Sequence, residues 1–350
     1  MVQKSEARQS LVQQLRAAYA ARHRDKKKRS IALPTENGMA FLERGDTIHI
    51  TVGEAGTIGN MQTNGSAFEA WALSLHVWLE KRICIEWITP RTSERERNWR
   101  HYQRFLYRMR RFHDLFGDKW LTIPRIDEAN ACSAVSAERL YINVSGDRDD
   151  SGTSENAKRE AQAEIAFLKL LKLNKPPFSL KLVDRQFPVG VFEEESPTIR
   201  SAIFTGGKSA IDLIGSNADA ISVFELKTGK NLSVGKLSEL LFYVHVLKDA
   251  CGTNPRFLFA KSDRPPTIDF LGCKSINAIL LVEHIHPLLE HPGFKTLLDA
   301  AFASHGMPVA SRGVPVRFQA WTYEFDEIKD VSNDPSNTGD LPLSPVEEWQ

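Results

Sequence analysis

Three residues of one short stretch could do chemistry together. Between residues 208 and 227 the chain reads as two apolar runs, Lys208–Gly215 and Ala220–Lys227, around a polar turn at 216–219. This is the signature of a β-hairpin. Asp212 lies in the first run, and Glu225 and Lys227 in the second. Side chains alternate along a strand, so Glu225 and Lys227 share one face. A turn centred near Asn217 or Ala218 sets Val223 opposite Asp212 and makes Glu225 its diagonal neighbour. Such pairs lie within about 7–8 Å, near enough for both carboxylates to reach one ion. Charged groups inside apolar strands are costly to desolvate unless they are paired or bound to metal. A carboxylate pair beside a lysine suits metal-assisted phosphodiester hydrolysis. The acids hold Mg²⁺ or Mn²⁺, the metal lowers the pKa of a water, and the cation supports the attacking hydroxide or the developing charge. The alternative is an ordinary surface hairpin with Glu225 and Lys227 facing water. Against it, Val223, Phe224 and Leu226 flank the pair, and Thr228-Gly229-Lys230-Asn231 continues as a basic turn suited to a phosphate-binding cleft.

Asp212, then Glu225-Leu226-Lys227 after a hydrophobic strand, resembles the PD-(D/E)XK superfamily of restriction-like nucleases. The resemblance implies a restriction-endonuclease-like core in the order helix, three strands, helix, strand, which matches the order read from about 156 to 260. It implies that Asp212 and Glu225 bind the divalent metal and that Lys227 orients or activates water. Many members add a carboxylate from the first helix, and here Glu160 and Glu164 are the candidates. Glu164 is favoured as the fourth catalytic residue, because it borders the expected buried stripe of Ala161, Ile165, Leu168 and Leu171.

Basic residues outside this core suggest a path for DNA. From Arg91 to Phe116 there are eight arginines. Five of them, Arg97, Arg100, Arg104, Arg108 and Arg111, step by three or four and fall on one helical face. Tyr102, Phe105, Met109, Phe112 and Phe116 form a second stripe roughly 120° away, at about 100° per residue. One face is then core and the other an arginine ridge for phosphates, whose bidentate hydrogen bonding guanidinium groups match. Lys230 and Lys236 are further candidates for nucleic-acid binding beside the hairpin; Lys236 and Glu239 otherwise belong to a solvated helix face. Two other features read as decoys. Gly207-Lys208-Ser209 lacks the upstream glycine of a phosphate-binding loop, and His284 and His286 lack a third metal ligand.

The elements that must position these residues divide at the polar run 146–156, read as a linker. Before it come a basic arm (1–30, nine Lys/Arg against two acids) and a mixed α/β recognition or partner-binding domain, 31–145. The arm holds a helix at 5–24, and the domain a strand at 46–52 and helices at 67–82 and 91–116. After the linker comes the nuclease-like domain, 157–325, with a helix at 156–173 and strand-like runs at 179–192 and 199–204. The hairpin follows, then a helix at 234–248, a strand at 256–260 and an apolar run at 277–282. The acidic, proline-containing tail, 326–350, is expected to hold little regular structure. The fold class is thus α/β (α+β), a mixed central sheet flanked by helices. With 42% hydrophobic residues the chain can bury a core, and no run of about 18 apolar residues suggests a membrane span. The N-terminus lacks the apolar stretch of a secretory signal, and the four cysteines are too dispersed for a zinc ribbon or a disulfide framework. The expected localisation is cytoplasmic. The expected function is a Mg²⁺- or Mn²⁺-dependent DNA endonuclease, in anti-phage defence or restriction. Its partners are DNA and either other subunits of a defence complex or a second copy, with no membrane. The alternative is a catalytically silent nuclease-fold subunit that binds DNA within a defence, transposition or repair complex.

Overall fold

The computed structural model describes residues 2–23, 31–34, 38–61, 63–143, 155–204, 209–217, 219–229, 233–252, 254–262, 265–303, 314–334 and 340–349. Lys230 and most of the 146–156 run lie outside these residues. The first elements along the chain are α1 (Val2–Arg22), β1 (Met39–Arg44), β2 (Thr47–Val52), α2 (Glu54–Thr57) and α3 (Phe68–Leu79). Then come β3 (Arg82–Trp87), α4 (Arg97–Phe116), β4 (Leu121–Thr122), α5 (Ile126–Asn130) and α6 (Ser133–Ser136). The rest are β5 (Leu140–Ile142), α7 (Glu155–Leu171), β6 (Leu182–Pro188), β7 (Val191–Phe192), β8 (Ala210–Ser216), β9 (Ala220–Lys227), α8 (Gly235–Ala250), β10 (Phe257–Phe259), β11 (Ser275–Val282), α9 (Gly293–Ala303), β12 (Val316–Thr322), α10 (Phe325–Asn333) and β13 (Ser344–Pro345). The protein is therefore a mixed α/β chain. No described helix is long and apolar enough to cross a membrane.

The chain divides into two compact units. The first comprises Met1–Ala137, Ser233–Glu239 and His286–Leu297, the second Glu138–Leu232, Leu240–Ile285 and Leu298–Gln350. In the first unit β1 and β2 form an antiparallel pair, and β3 and β4 extend it in parallel. The sequence shows neither β1 nor β3: the helix expected over 67–82 ends at Leu79, Glu80 takes a left-handed C-cap, and β3 begins at Arg82. Helix α4 buries its aromatic stripe, with Phe105, Phe112 and Phe116 all nearly inaccessible. It also buries most of its arginines. The Arg108 guanidinium donates to Glu69 Oε1 at 2.7 Å and to the Ser66 carbonyl at 3.0 Å, and it lies over the Phe68 ring.

The second unit is built on a six-stranded sheet in the order β13-β12-β11-β9-β8-β6. Strands β6, β8 and β9 are antiparallel neighbours, and β11 lies parallel to β9 after the crossover through α8. Strands β8 and β9 are interior and buried along almost their whole length, which is why both read as continuous apolar runs. Gly215 is needed for close packing in β8: a Cβ there would meet Leu180 Cδ1 at 2.5 Å. Helix α7 covers one face of the sheet through Ala163, Ala166, Phe167, Leu170 and Leu171, which pack in one core with Leu213, Phe224, Leu226, Ile279 and Tyr323. This is not the expected stripe, for Ile165 is 42% exposed. Both series satisfy helical periodicity, and packing on the sheet selects one of them.

Other expectations change as well. The 256–260 strand is β10, which joins β5 and β7 in a separate three-stranded sheet, so the strand that follows α8 into the central sheet is β11. The 199–204 run forms only a single bridge, Ala202 to Phe192. Helix α8 is buried all round, including Lys236 and Glu239, so it has no solvated face. The acidic tail carries regular structure: α10 fills its first residues, β13 pairs with β12, and Trp349 is fully buried.

The Arg108–Glu69 pair allows a direct test of this packing. Removing one partner leaves a buried charge unmatched, a loss of about 3–5 kcal/mol. Glu69→Ala should lower stability by that amount in urea denaturation, whereas Glu69→Leu combined with Arg108→Met should recover most of it. A single variant within about 1 kcal/mol of wild type would contradict the pairing.

Candidate active site

The described part of the hairpin closes at Asn217, whose backbone N–H bonds to the Ala220 carbonyl at 3.0 Å. The ladder then runs Ser216↔Ile221 to Leu213↔Phe224, and the next positions along it are Asp212 and Glu225. The two carboxylates therefore face each other directly and are not diagonal, because the turn centres one residue later than the sequence suggests and moves the partner of Asp212 from Val223 to Glu225. Asp212 is 9% exposed and Glu225 is fully buried. Asp212 Oδ2 accepts the Leu226 backbone N–H at 2.8 Å, so its side chain is tied into the strand that carries Glu225 and Lys227.

Lys227, two positions after Glu225 on the same face, is buried to 7% exposure. Its ammonium lies 2.8 Å from Glu225 Oε1, 2.9 Å from Glu160 Oε1 and 3.7 Å from Asp212 Oδ2. The strand end is also fastened. The Lys227 carbonyl accepts from Tyr323 Oη at 3.1 Å and from the Glu283 backbone N–H at 3.3 Å. The Glu283 carboxylate bonds Arg159 at 2.7 Å and also receives the Gly229 backbone N–H.

Glu160 and Glu164, one turn apart on α7, both reach the cluster. Glu160 is half-exposed and pairs with Lys227, while Glu164 is buried. Glu164 Oε2 accepts Gln186 Nε2 at 2.9 Å and lies 3.8 Å from the Arg185 guanidinium. Burial, and next the negative charge of Asp212, push the Glu164 carboxyl up to about 8 from its ordinary value of 4.5. The hydrogen bond from Gln186 acts in the opposite direction, Glu160 adds to the rise, and Arg185 opposes it. Sequence reasoning misses Gln186 and Tyr323 and reads Glu283 as structural. Only the polar Arg185-Gln186 pair inside an apolar strand could have signalled the first.

The donor set fits a hard divalent cation. Among the described residues, Glu160, Glu164, Asp212 and Glu225 supply carboxylate oxygens beside the Lys227 ammonium and the Arg185 guanidinium, and oxygen ligands of this kind suit Mg²⁺ or Mn²⁺. Among the described residues, no three His, Cys, Asp or Glu side chains already form a metal-ligand cluster. Glu160, Asp212 and Glu225 gather around Lys227 instead, and Glu164 lies against Gln186 and Arg185. Asp212, Glu225 and Glu164 would hold the metal.

The basic residues are placed differently from the expected open ridge. Arg97 is exposed, but Arg100, Arg104, Arg108 and Arg111 are buried. Arg104 donates to the Gly59 carbonyl, Arg108 pairs with Glu69, and Arg111 pairs with Asp114. Their long stems and planar heads are used within the fold. Lys236 is 1% exposed, and Lys230 is outside the described residues. His286 Nδ1 accepts the Leu288 N–H at 3.0 Å and so starts a short 3₁₀ turn, while His284 is exposed. No protein-family model, no curated protein and no solved structure matches this chain.

The raised Glu164 carboxyl gives a signed pH dependence. Between about pH 4.5 and about 8 the folded chain holds a proton on Glu164 that the unfolded chain has released. Metal-free stability should therefore fall as pH rises through that window and level off above it. Glu164→Gln should remove this fall and raise metal-free stability at pH 8 by roughly 2–4 kcal/mol. Urea unfolding in chelator from pH 4 to 9 measures it, and parallel curves for the two proteins would contradict the burial of this carboxyl.

Proposed function

We infer that the protein is a divalent-metal-dependent DNA endonuclease of the PD-(D/E)XK kind, acting in restriction or anti-phage defence. The observation that carries this reading is the convergence of Asp212, Glu225 and Lys227 at the end of two interior strands, with two further carboxylates from α7 beside them. The topology supports it too. Helix α7, the antiparallel β6, β8 and β9, the crossover α8 and the parallel β11 follow the order helix, three strands, helix, strand.

A bound Mg²⁺ or Mn²⁺ would supply Lewis acidity and a water of lowered pKa. The chain's own residues do the rest. Asp212, fixed by the Leu226 N–H, and Glu225, fixed by its strand, present oxygens from opposite sides of one hairpin. Glu164 brings a third carboxylate from the helix. In the metal-free chain Lys227 keeps its ammonium against these acids and offsets their mutual repulsion; released from Glu225 by the cation, it can orient a water or neutralise charge that develops on a phosphate. The Tyr323 hydroxyl and the Glu283 N–H hold the Lys227 carbonyl, so the lysine springs from a fixed point.

Supercoiled plasmid with Mg²⁺ tests the reading. The wild-type protein should nick it in a chelator-sensitive reaction. Glu225→Ala and Lys227→Ala should each lose at least about 10²-fold in rate, as expected for a group acting at the reacting centre, while keeping duplex affinity within about twofold. Wild-type cleavage in either variant would overturn the site assignment. Binding of DNA with no cleavage by the wild type would instead identify a silent nuclease-fold subunit.

A further inference from the structure

We propose that Gln186 is a positioning residue for Glu164, orienting that carboxylate as a metal ligand; the inference rests on the metal-dependent reading of the same site. Three independent features of β6 lead to it. The ladder between β6 and β8 pairs Arg185 with Leu213 and Phe187 with Ile211, and it skips the intervening pair, Gln186 and Asp212. Gln186 has a φ of 54°, inside the left-handed region, although it lies within a strand. Its side-chain amide donates to Glu164 Oε2 at 2.9 Å.

The backbone conformation is the informative part. L-residues avoid left-handed φ values because Cβ crowds the carbonyl, and glycine would adopt this one with less strain. A glutamine in that conformation needs a reason in its side chain, and strained positions of this kind gather at functional sites. The interruption of the ladder lies at Asp212, the very position that faces Glu225. It turns the Gln186 amide towards the helix carboxylate on the other side of the cluster.

The chemistry of the amide also fits. Metal-binding carboxylates are commonly held by a hydrogen bond from a residue behind them, which fixes their orientation. A neutral N–H donor does this without adding another positive charge beside Lys227 and Arg185, and without adding a fifth carboxylate to four crowded ones. Glutamine is the side chain that reaches and donates while leaving the charge balance to the incoming cation.

The experiment uses the full-length protein and two readouts besides activity: Mn²⁺ affinity by titration calorimetry and thermal melting in chelator. Gln186→Gly relieves the backbone and deletes the amide. Its melting temperature in chelator should equal or exceed that of wild type, while its Mn²⁺ affinity falls about tenfold or more. Gln186→Asn, which also tolerates left-handed φ but is one methylene shorter, should fold as wild type and bind Mn²⁺ as weakly as the glycine variant. In plasmid cleavage both should lose kcat with KM for DNA unchanged. Wild-type Mn²⁺ affinity in either variant would overturn the proposal and leave the metal site intact. Equal losses of melting temperature and affinity in both variants would also overturn it, since that pattern marks a merely structural role. If the wild-type protein binds no Mn²⁺, the metal-dependent reading itself fails, and this inference fails with it.

Discussion

A lysine ammonium buried among carboxylates at the edge of a core is the constraint around which the second unit is organised. Lys227, with Glu225 beside it and Asp212 across the hairpin, lies on the two strands that are otherwise almost wholly apolar. Isolated charges in such a setting are prohibitively costly, so the structure must bring them together or not fold this way. It does so by several devices. The hairpin register sets Asp212 against Glu225, the Asp212 side chain takes a backbone N–H of the partner strand, and α7 lays Glu160 alongside the ammonium. Each device serves folding and holds a charged group of the cluster in place at once.

The balance of charge is deliberately uneven. One ammonium faces Glu225, Glu160 and Asp212, and Glu164 is buried close enough to feel Asp212. A fold selected only for stability would replace such a group with apolar side chains of similar volume, because buried ion pairs seldom outperform good packing. We read the surplus of carboxylate over Lys227 and Arg185 among the described residues as preparation for a cation. The left-handed turn of the backbone at Gln186 points the same way, since it spends conformational freedom next to that excess of charge. Fastening Lys227 through Tyr323 and Glu283 keeps the arrangement from relaxing outward.

The charged cluster was more legible in the sequence than its geometry was. Asp212, Glu225 and Lys227 stand out because charges inside apolar strands are rare, and the long helices appear within a few residues of their observed ends: 5–24 against Val2–Arg22, and 156–173 against Glu155–Leu171. Register was not legible. The Asn217–Ala220 pairing is set by local backbone hydrogen bonds that the composition of the turn leaves open. The buried face of α7 was ambiguous because two apolar series shared one period, and only contact with Leu213, Phe224 and Ile279 distinguishes them. The arginines of α4 misled for a different reason. Guanidinium groups at helical spacing look like a surface ridge, yet Arg108 finds Glu69, 39 residues away in sequence. A still longer separation, 96 residues, hides Tyr323 from Lys227, and no local pattern announces the backbone of Gln186.

The central claim is that this crowded cluster is a cation site. Anomalous diffraction at the manganese edge, from crystals of the full-length protein grown with Mn²⁺, tests it most directly. The account predicts a manganese peak against the carboxylates of Asp212, Glu225 and Glu164, with the Lys227 ammonium no longer bonded to Glu225. Data with no peak at these carboxylates, and Lys227 still seated between Glu225 and Glu160, would contradict it.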